Sequence, residues 1–449
     1  MTLRFRFVRE SRNQLIISIF KYVLWITTVR GDTFRSFSPQ IALVRQYQLL
    51  AAILIFAGTY LILAVGRIPF LRIDRTGAAI IGASLMCAFN VLTVEEAWAA
   101  INYDTIILLF GMMIVVANLR LSGFFAIVSA WVVDRAHGPL VLLSGIVLVS
   151  GVFSAFFVND TMCLVLTPLV LDITRRLGRR PIPYLLAVAM SSNIGSVATI
   201  TGNPQNMMIG SFSHIPYRTF AAALSPIAAV GLALTVVVIA VTYRAEFRAA
   251  THLDVRHRSP RVNRPLLWKS LAVSAGMIVF FFAGWPVPKV AIIAGALLLI
   301  TRRVKPEKVY REIDWSLLVL FIGLFIVVAG LEKTPAPGDL FAAASRFHLD
   351  RPGPLSAFAA LLSNLVSNVP AVLVFKSFIP HLPDPARAWL TLAMATTLAG
   401  NLTILGSVAN LIVVQRARGE KVEISFLEYA RAGVPLTILT LAAGVWIVG

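Results

Sequence analysis

The stretch "FFVNDTMCLVLTP" (156–168) sets an amide, a carboxylate and a hydroxyl, Asn159, Asp160 and Thr161, inside an otherwise apolar run. Such groups side by side can hold a small solute or ion, and the carboxylate can also carry a proton. An acid among apolar neighbours is costly, so its presence points to function. For Asp160 three roles stay open: a proton carrier, a fixed charge that holds a cation, or a cap bonded to the first N–H groups of the following helix. A second polar tip, "SNVP" (367–370), interrupts another apolar run. Two further runs are broken from within. Gly202, Asn203 and Pro204 interrupt 185–212, and Gly400–Asn401 and Gly406–Ser407, with Asn410 beyond, interrupt 392–414. Proline removes a backbone donor and clashes with the preceding turn, while glycine admits dihedrals that end a helix.

The elements that carry these residues follow from composition. Of 449 residues, 58% are hydrophobic and 14% charged, too little charge to cover a water-soluble protein of this size. Apolar runs fall near 13–28, 48–66, 77–93, 104–120, 139–174, 185–212, 220–242, 267–284, 287–301, 314–331, 354–380, 386–413 and 430–448. Runs of about 17–25 such residues are bilayer-crossing helices, so the chain reads as an all-α polytopic membrane protein. Two runs, 139–174 and 354–380, exceed one helix, and each holds a polar tip near its middle. An apolar arm, a polar tip and a second apolar arm describe a re-entrant hairpin. Neither the tips nor the breaks can face lipid, because freed backbone groups need partners; they must lie in protein or line a water-filled cavity. Half-helices that start there present N–H groups that favour anions, and the ends before each break present carbonyls that suit a cation such as sodium. For single residues such as Ser192, Asn193, Ser196 or Thr403, tight helix packing is an equal reading.

The chain also repeats itself. "GMMIVVAN" (111–118) matches "GLFIVVAG" (323–330) at a shift of 212 (323 − 111). The tips align as Asn159 with Asn368, a shift of 209 (368 − 159), and Gly202 aligns with Gly406 at 204 (406 − 202). Three matches in one order imply duplication. With re-entrant hairpins each half crosses five times, and an odd count inverts the second copy. Loops at 67–76, 120–138, 174–182, 243–266, 302–313 and 414–428 then share one side and are basic, as cytoplasmic loops are; loops at 94–103, 213–219 and 381–385 carry little positive charge. The expected organisation is an N-terminal segment 1–47 with a possible extra helix at 13–28, a first repeat 48–242, a basic cytoplasmic linker 243–266 and a second inverted repeat 267–449.

Other functions find little support. The net charge of +19 lies in loops between spans and reads as topology, so no nucleic-acid partner is expected. Cys87 and Cys163 fall in apolar spans as packing residues, and the six histidines lie in loops without an HExxH pattern, so no catalytic metal is expected. Asp104 and Asp314 each begin a span and read as structural; Lys376 reads as snorkelling from the second hairpin. An intramembrane enzyme is the remaining different class, and no buried histidine is present to serve a nucleophile.

"FFVNDTMCLVLTPLVL", "SSNIGSVATITGNPQNMMIG", "LLSNLVSNVPAVLVF" and "GNLTILGSVANLIV" resemble the paired signatures of the ion transporter superfamily, over about 48–449. That group holds arsenite-efflux permeases, citrate and dicarboxylate transporters and certain sodium/proton antiporters. This chain looks most like the arsenite-efflux-like and uncharacterised anion-permease branches; its tips depart from the Ser-Asn-Thr of the sodium-coupled dicarboxylate branch. The resemblance implies a binding site of Asn159, Asp160, Thr161, Gly202, Asn203, Asn206, Ser367, Asn368, Gly406, Ser407 and Asn410. It also implies two scaffold-plus-transport repeats, a homodimer and an elevator movement. The function expected is secondary active transport of an anion or oxyanion across the cytoplasmic membrane, coupled to protons through Asp160. A sodium/proton antiporter or an arsenite efflux permease are the alternatives on the same scaffold. No cofactor is expected beyond a coupling proton or sodium ion.

Overall fold

The computed structural model describes residues 39–65, 73–248, 262–301, 304–336, 338, 342 and 345–449. The possible helix at 13–28 and positions 249–261 of the basic linker lie outside the described residues. Apart from one short helix in the first half, two halves carry the same order of main elements. In the first, α1 (Pro39–Val65), α2 (Arg75–Ala88) and α3 (Tyr103–Ser122) precede a shorter α4 (Phe124–Arg135). A hairpin of α5 (Pro139–Phe156) and α6 (Asn159–Arg176) follows, then a broken pair, α7 (Pro181–Ser196) and α8 (Pro204–Ser213), and α9 (Tyr217–Thr242). In the second half, α10 (Arg264–Phe282), α11 (Val287–Leu299) and α12 (Trp315–Glu332) precede the hairpin α13 (Pro352–Val366) and α14 (Asn368–Lys376). The broken pair is α15 (Pro385–Ala399) and α16 (Val408–Gly419), and α17 (Phe426–Val448) closes the chain.

Local sequence sets the boundaries. Proline opens α5, α7, α8, α13 and α15 within the first two positions, where its missing N–H costs nothing. Asn102 caps α3 by accepting from Thr105 N at 2.8 Å, and Asp314 caps α12 by accepting from Leu317 N at 3.0 Å. Asp314 is thus structural as read from the sequence, whereas on α3 the cap is Asn102 and not Asp104. Among the described residues, seven helices, α1, α3, α5, α9, α10, α12 and α17, are long and apolar enough to cross a membrane. The runs at 77–93 and 287–301 come out shorter than the sequence suggests: α2 has 14 residues and α11 has 13, each about 20 Å against a hydrocarbon core of about 30 Å. Asn90, at φ 54, turns the chain away after α2 although its neighbours Phe89 and Val91 stay apolar.

The two short helices are swapped between halves. α2 packs on α12, and α11 packs on α3. The seams use matching residues: a Cβ on Gly111 would lie 2.6 Å from the Ala291 carbonyl carbon, and one on Gly323 would lie 2.8 Å from that of Ala79. The shift from 111 to 323 (323 − 111 = 212) equals the shift from 79 to 291 (291 − 79 = 212), so the two seams pair residues at one spacing. α7 and α15 form the core; from Pro183 to Ser196 every residue of α7 is buried, as is Thr391–Ala399 of α15. Buried all round, they depend on small and polar residues to let neighbours approach.

Polar cross-links sort into two ends. At one end Arg120 pairs with Glu312, Arg175 with Glu420 at 2.7 Å and Arg179 with Glu246 at 2.8 Å, while Asn263 N donates to Ser122 O. At the other end Asn102 bonds Ser211, Lys333 pairs with Glu96, Lys376 pairs with Glu332 at 3.0 Å and Arg387 donates to Gly449 O. The hydrogen bond from Lys333 holds the Glu96 carboxyl below the ordinary glutamate range. The first end carries Arg120, Arg175 and Arg179, which belong to basic loops grouped in the sequence. α3 runs from the second end to the first and α12 runs back, so these matched helices point in opposite directions. Lys376 ends α14 partly exposed, pairs with Glu332 and sits over the Phe212 ring at 5.5 Å.

Candidate functional site

Both hairpin tips and both breaks converge between α7 and α15. At the first tip, Asn159 N donates to Gly202 O at 2.9 Å, and Ser192 Oγ donates to Asn159 O at 3.0 Å, which ties the tip to the first break. The second tip is strained: Ser367 holds φ 83 and ψ 160, a region almost reserved for glycine. Ser363 Oγ lies 2.6 Å from the Asn368 amide. With that amide turned so its nitrogen faces acceptors, it donates to Gly406 O at 3.1 Å, and its oxygen accepts from Gln205 Nε2 at 3.1 Å. Each tip is therefore bound to the break of its own half, and the second is also bound to the first half through Gln205.

The breaks are built alike. Asn206 Nδ2 donates to Ser196 O at 3.0 Å and Thr199 O at 3.0 Å; Asn410 Nδ2 donates to Gly400 O at 2.7 Å and Thr403 O at 3.0 Å. These partners repeat at a shift of 204, and they satisfy carbonyls that the interrupted helix would leave bare. Gly202 passes against the Ser196 carbonyl, and Gly406 lies where a Cβ would be 2.9 Å from the Gly400 oxygen, so no side chain fits at either. Asn203 caps α8 by accepting from Asn206 N at 2.8 Å, and Ser407 caps α16 by accepting from Ala409 N at 3.2 Å.

Asn193 of α7 joins the halves. Its oxygen accepts from Asn159 Nδ2 and Ser407 Oγ, each at 3.0 Å, and its nitrogen donates to Asn401 Oδ1 at 2.9 Å and Asn410 Oδ1 at 3.0 Å. It is 1% exposed, so each of these bonds is made without competition from water.

In front of this network lies a cavity of about 60 Å³, lined by Asn159, Asp160, Gln205, Ser367, Asn368 and Ser407, with Arg75 of α2 and apolar side chains of α12 on the opposite wall. A single water needs roughly 10–15 Å³ by this measure, so the space suits a solute of a few heavy atoms. Asp160 does not cap its own helix; it faces the first turn of α16, toward the Ala409 N–H. The carboxylate of one half therefore meets the positive helix end of the other. At the equivalent place in the second tip stands Val369, so the site has one acid rather than two.

Of the eleven residues picked from the sequence, Asn159, Asp160, Ser367, Asn368 and Ser407 reach the cavity wall. Gly202, Asn203, Asn206, Gly406 and Asn410 lie behind it and shape the breaks; Thr161 is half-buried in the first turn of α6 and does not line the cavity. Asn159 Oδ1 and Asn206 Oδ1 are buried without a partner among the described residues. Sequence reasoning passed over Gln205, hidden inside "NPQN", and Arg75, which read only as a loop charge. Among the described residues no cluster of three or more His, Cys, Asp or Glu could hold a metal ion.

A profile of the citrate transporter family matches residues 51–399. The silicon efflux transporter LSI3 of Oryza sativa subsp. japonica is 30% identical over 87% of this chain and 96% of its own length. The inner membrane protein YbiR of Escherichia coli (strain K12) is 29% identical over 84% of this chain and 97% of its own length. Among solved structures, the YdaH transporter of Alcanivorax borkumensis gives a TM-score of 0.56, covering 90% of this chain and 97% of that one, at 14% identity, a likeness of fold. The profile runs from α1 through both hairpins to the end of α15, well over half of the chain, and on that ground this multi-pass membrane protein belongs to the citrate transporter family and is a transporter, not an enzyme.

Proposed function

We propose that the protein is a secondary active transporter of a small anion or oxyanion across the cytoplasmic membrane, coupled to protons through Asp160. The observation that carries this reading is the position of Asp160 at the start of α16 in a cavity fed by both tips and both breaks. A helix start attracts negative charge. While ionised, Asp160 occupies that position; once protonated, it frees the helix end for a solute anion, so proton and anion load together. The size of the cavity supports a solute of a few heavy atoms, and the name of the 30%-identical silicon efflux transporter supports a small oxyacid or its anion. The basic residues Arg120, Arg175 and Arg179 at one end support placing that end in the cytoplasm, and the opposite run of α3 and α12 supports reading the halves as an inverted duplication. The site then moves as a unit, hairpins and broken helices sliding past the α2–α12 and α3–α11 seams in an elevator movement, with two copies pairing through the seam side.

Uptake or release of radiolabelled phosphate, arsenate and citrate in reconstituted vesicles, under imposed proton or sodium gradients, tests the reading. Flux should follow the proton gradient and should lose that dependence in Asp160→Asn. Wild-type flux driven by sodium alone, or an Asp160→Asn protein still responding to the proton gradient, would overturn proton coupling.

A further inference from the structure

Arg75 opens α2 and lines the cavity that Asp160 lines from the other side. It is half-buried, and among the described residues it makes no hydrogen bond or ion pair, with Asp160 or with any other group. That sets it apart from the other cations drawn into the body of the protein. Among the described residues, half-buried Arg120, Arg179 and Lys376 each have a carboxylate partner, and half-buried Lys269 and Arg387 donate to the backbone carbonyls of Ile300 and Gly449. A guanidinium removed partly from water without an acceptor is unfavourable, and its planar fork of donors matches an oxyanion or carboxylate in a two-bond geometry. The wall beside it is apolar, made by Leu317, Leu320 and Phe321 of α12. A solute in the gap would therefore meet amides, hydroxyls and the Asp160 carboxyl on the tip side and one full positive charge on the other.

We infer that Arg75 is the residue that selects charge: it takes the negative group of the solute directly, so the substrate is carried as an anion rather than as a neutral hydroxylated acid. This rests on the reading of the cavity as the transport site. It adds to that reading in two ways. It names the ionic form of the substrate. It also makes the contact dependent on conformation, because Arg75 belongs to the α2–α12 seam while the remaining polar lining belongs to the tips and breaks.

The test is ligand-induced thermal stabilisation and direct binding with the full-length protein in detergent. Phosphate, arsenate and citrate serve as anions, and orthosilicic acid at neutral pH as the uncharged comparison. Loss of a charge-assisted fork is worth about 1.5–3 kcal/mol, so Arg75→Gln should weaken binding of the anion by about tenfold or more, and Arg75→Lys should recover part of it. The wild-type protein supplies a second measurement independent of any variant: modification of Arg75 by phenylglyoxal, followed by mass spectrometry, should slow when the bound anion is present. Asn368→Ala separates the two ideas. If it abolishes binding while Arg75→Gln leaves anion affinity unchanged, the cavity stands and the role of Arg75 is refuted. If neither variant alters binding, the cavity itself is refuted as the site. Wild-type protein that binds orthosilicic acid and no anion would refute charge selection. So would anion binding that vanishes on reconstitution into phosphatidylglycerol, since Arg75 would then be holding a lipid phosphate.

Discussion

At the scale of single residues, the site is governed by what each polar group already does inside the protein. Asn193 makes four hydrogen bonds to side chains of both halves, and a replacement without the amide leaves Asn159, Ser407, Asn401 and Asn410 short of a partner. A buried polar group left unpaired costs about 1–3 kcal/mol, so Asn193→Ala should lower stability by about 3 kcal/mol or more and abolish flux. Thermal unfolding in detergent together with vesicle uptake checks this; an unchanged melting temperature would mean that the network holds nothing together. By contrast Asn206 and Asn410, which look like ligand residues in the sequence, have given their amide nitrogens to the carbonyls of the breaks. The motif was legible because Asn, Ser and Thr stand out in an apolar chain. The division of labour within it was not, since the same residue types serve binding, capping and helix packing, and only the direction of each hydrogen bond tells them apart.

Among the elements, the matched stretches "GMMIVVAN" and "GLFIVVAG" each open on a glycine at a helix seam. Gly111 lies on the backbone of α11 and Gly323 on that of α2, with matched partners Ala291 and Ala79. Neither neighbour is the end of a flexible side chain, so a methyl group at either glycine forces two helices apart. Overpacking of this kind costs about 1–3 kcal/mol, and Gly111→Ala and Gly323→Ala should each lower the melting temperature by similar amounts. A loss confined to one variant would show that the two seams do not share a geometry. What the sequence could not show is how short α2 and α11 are. Phe89 and Val91 keep the apolar pattern running past Ala88, and hydropathy does not register a backbone that turns at Asn90. Arg75 was missed for a related reason: a basic residue at the end of a span is ordinarily a mark of topology, and only packing shows that this one overlooks the cavity.

For the whole molecule the question is whether the site moves. The broken limb of each half packs on the hairpin and broken helix of the other, α8 on α14 and α15, and α16 on α6 and α7. Such interlocked packing favours motion of these six helices with the hairpin arms as one body against the α2–α12 and α3–α11 seams. The Lys376–Glu332 pair, 3.0 Å apart, bridges the two bodies, since Lys376 ends α14 and Glu332 ends α12. Bridging Glu332→Cys and Lys376→Cys with a short bifunctional thiol reagent should therefore stop flux and leave ligand binding from one side intact. The free thiols Cys87 and Cys163 are first replaced by serine so that only the new pair reacts. Severing the bridge with a cleavable reagent should restore flux. A site that stays fixed while thin gates open in turn would tolerate this bridge, because α14 would hold its place beside α12 throughout the cycle. Undiminished transport by the bridged protein is thus the result that rules out the elevator movement, and it would do so without touching any residue of the cavity.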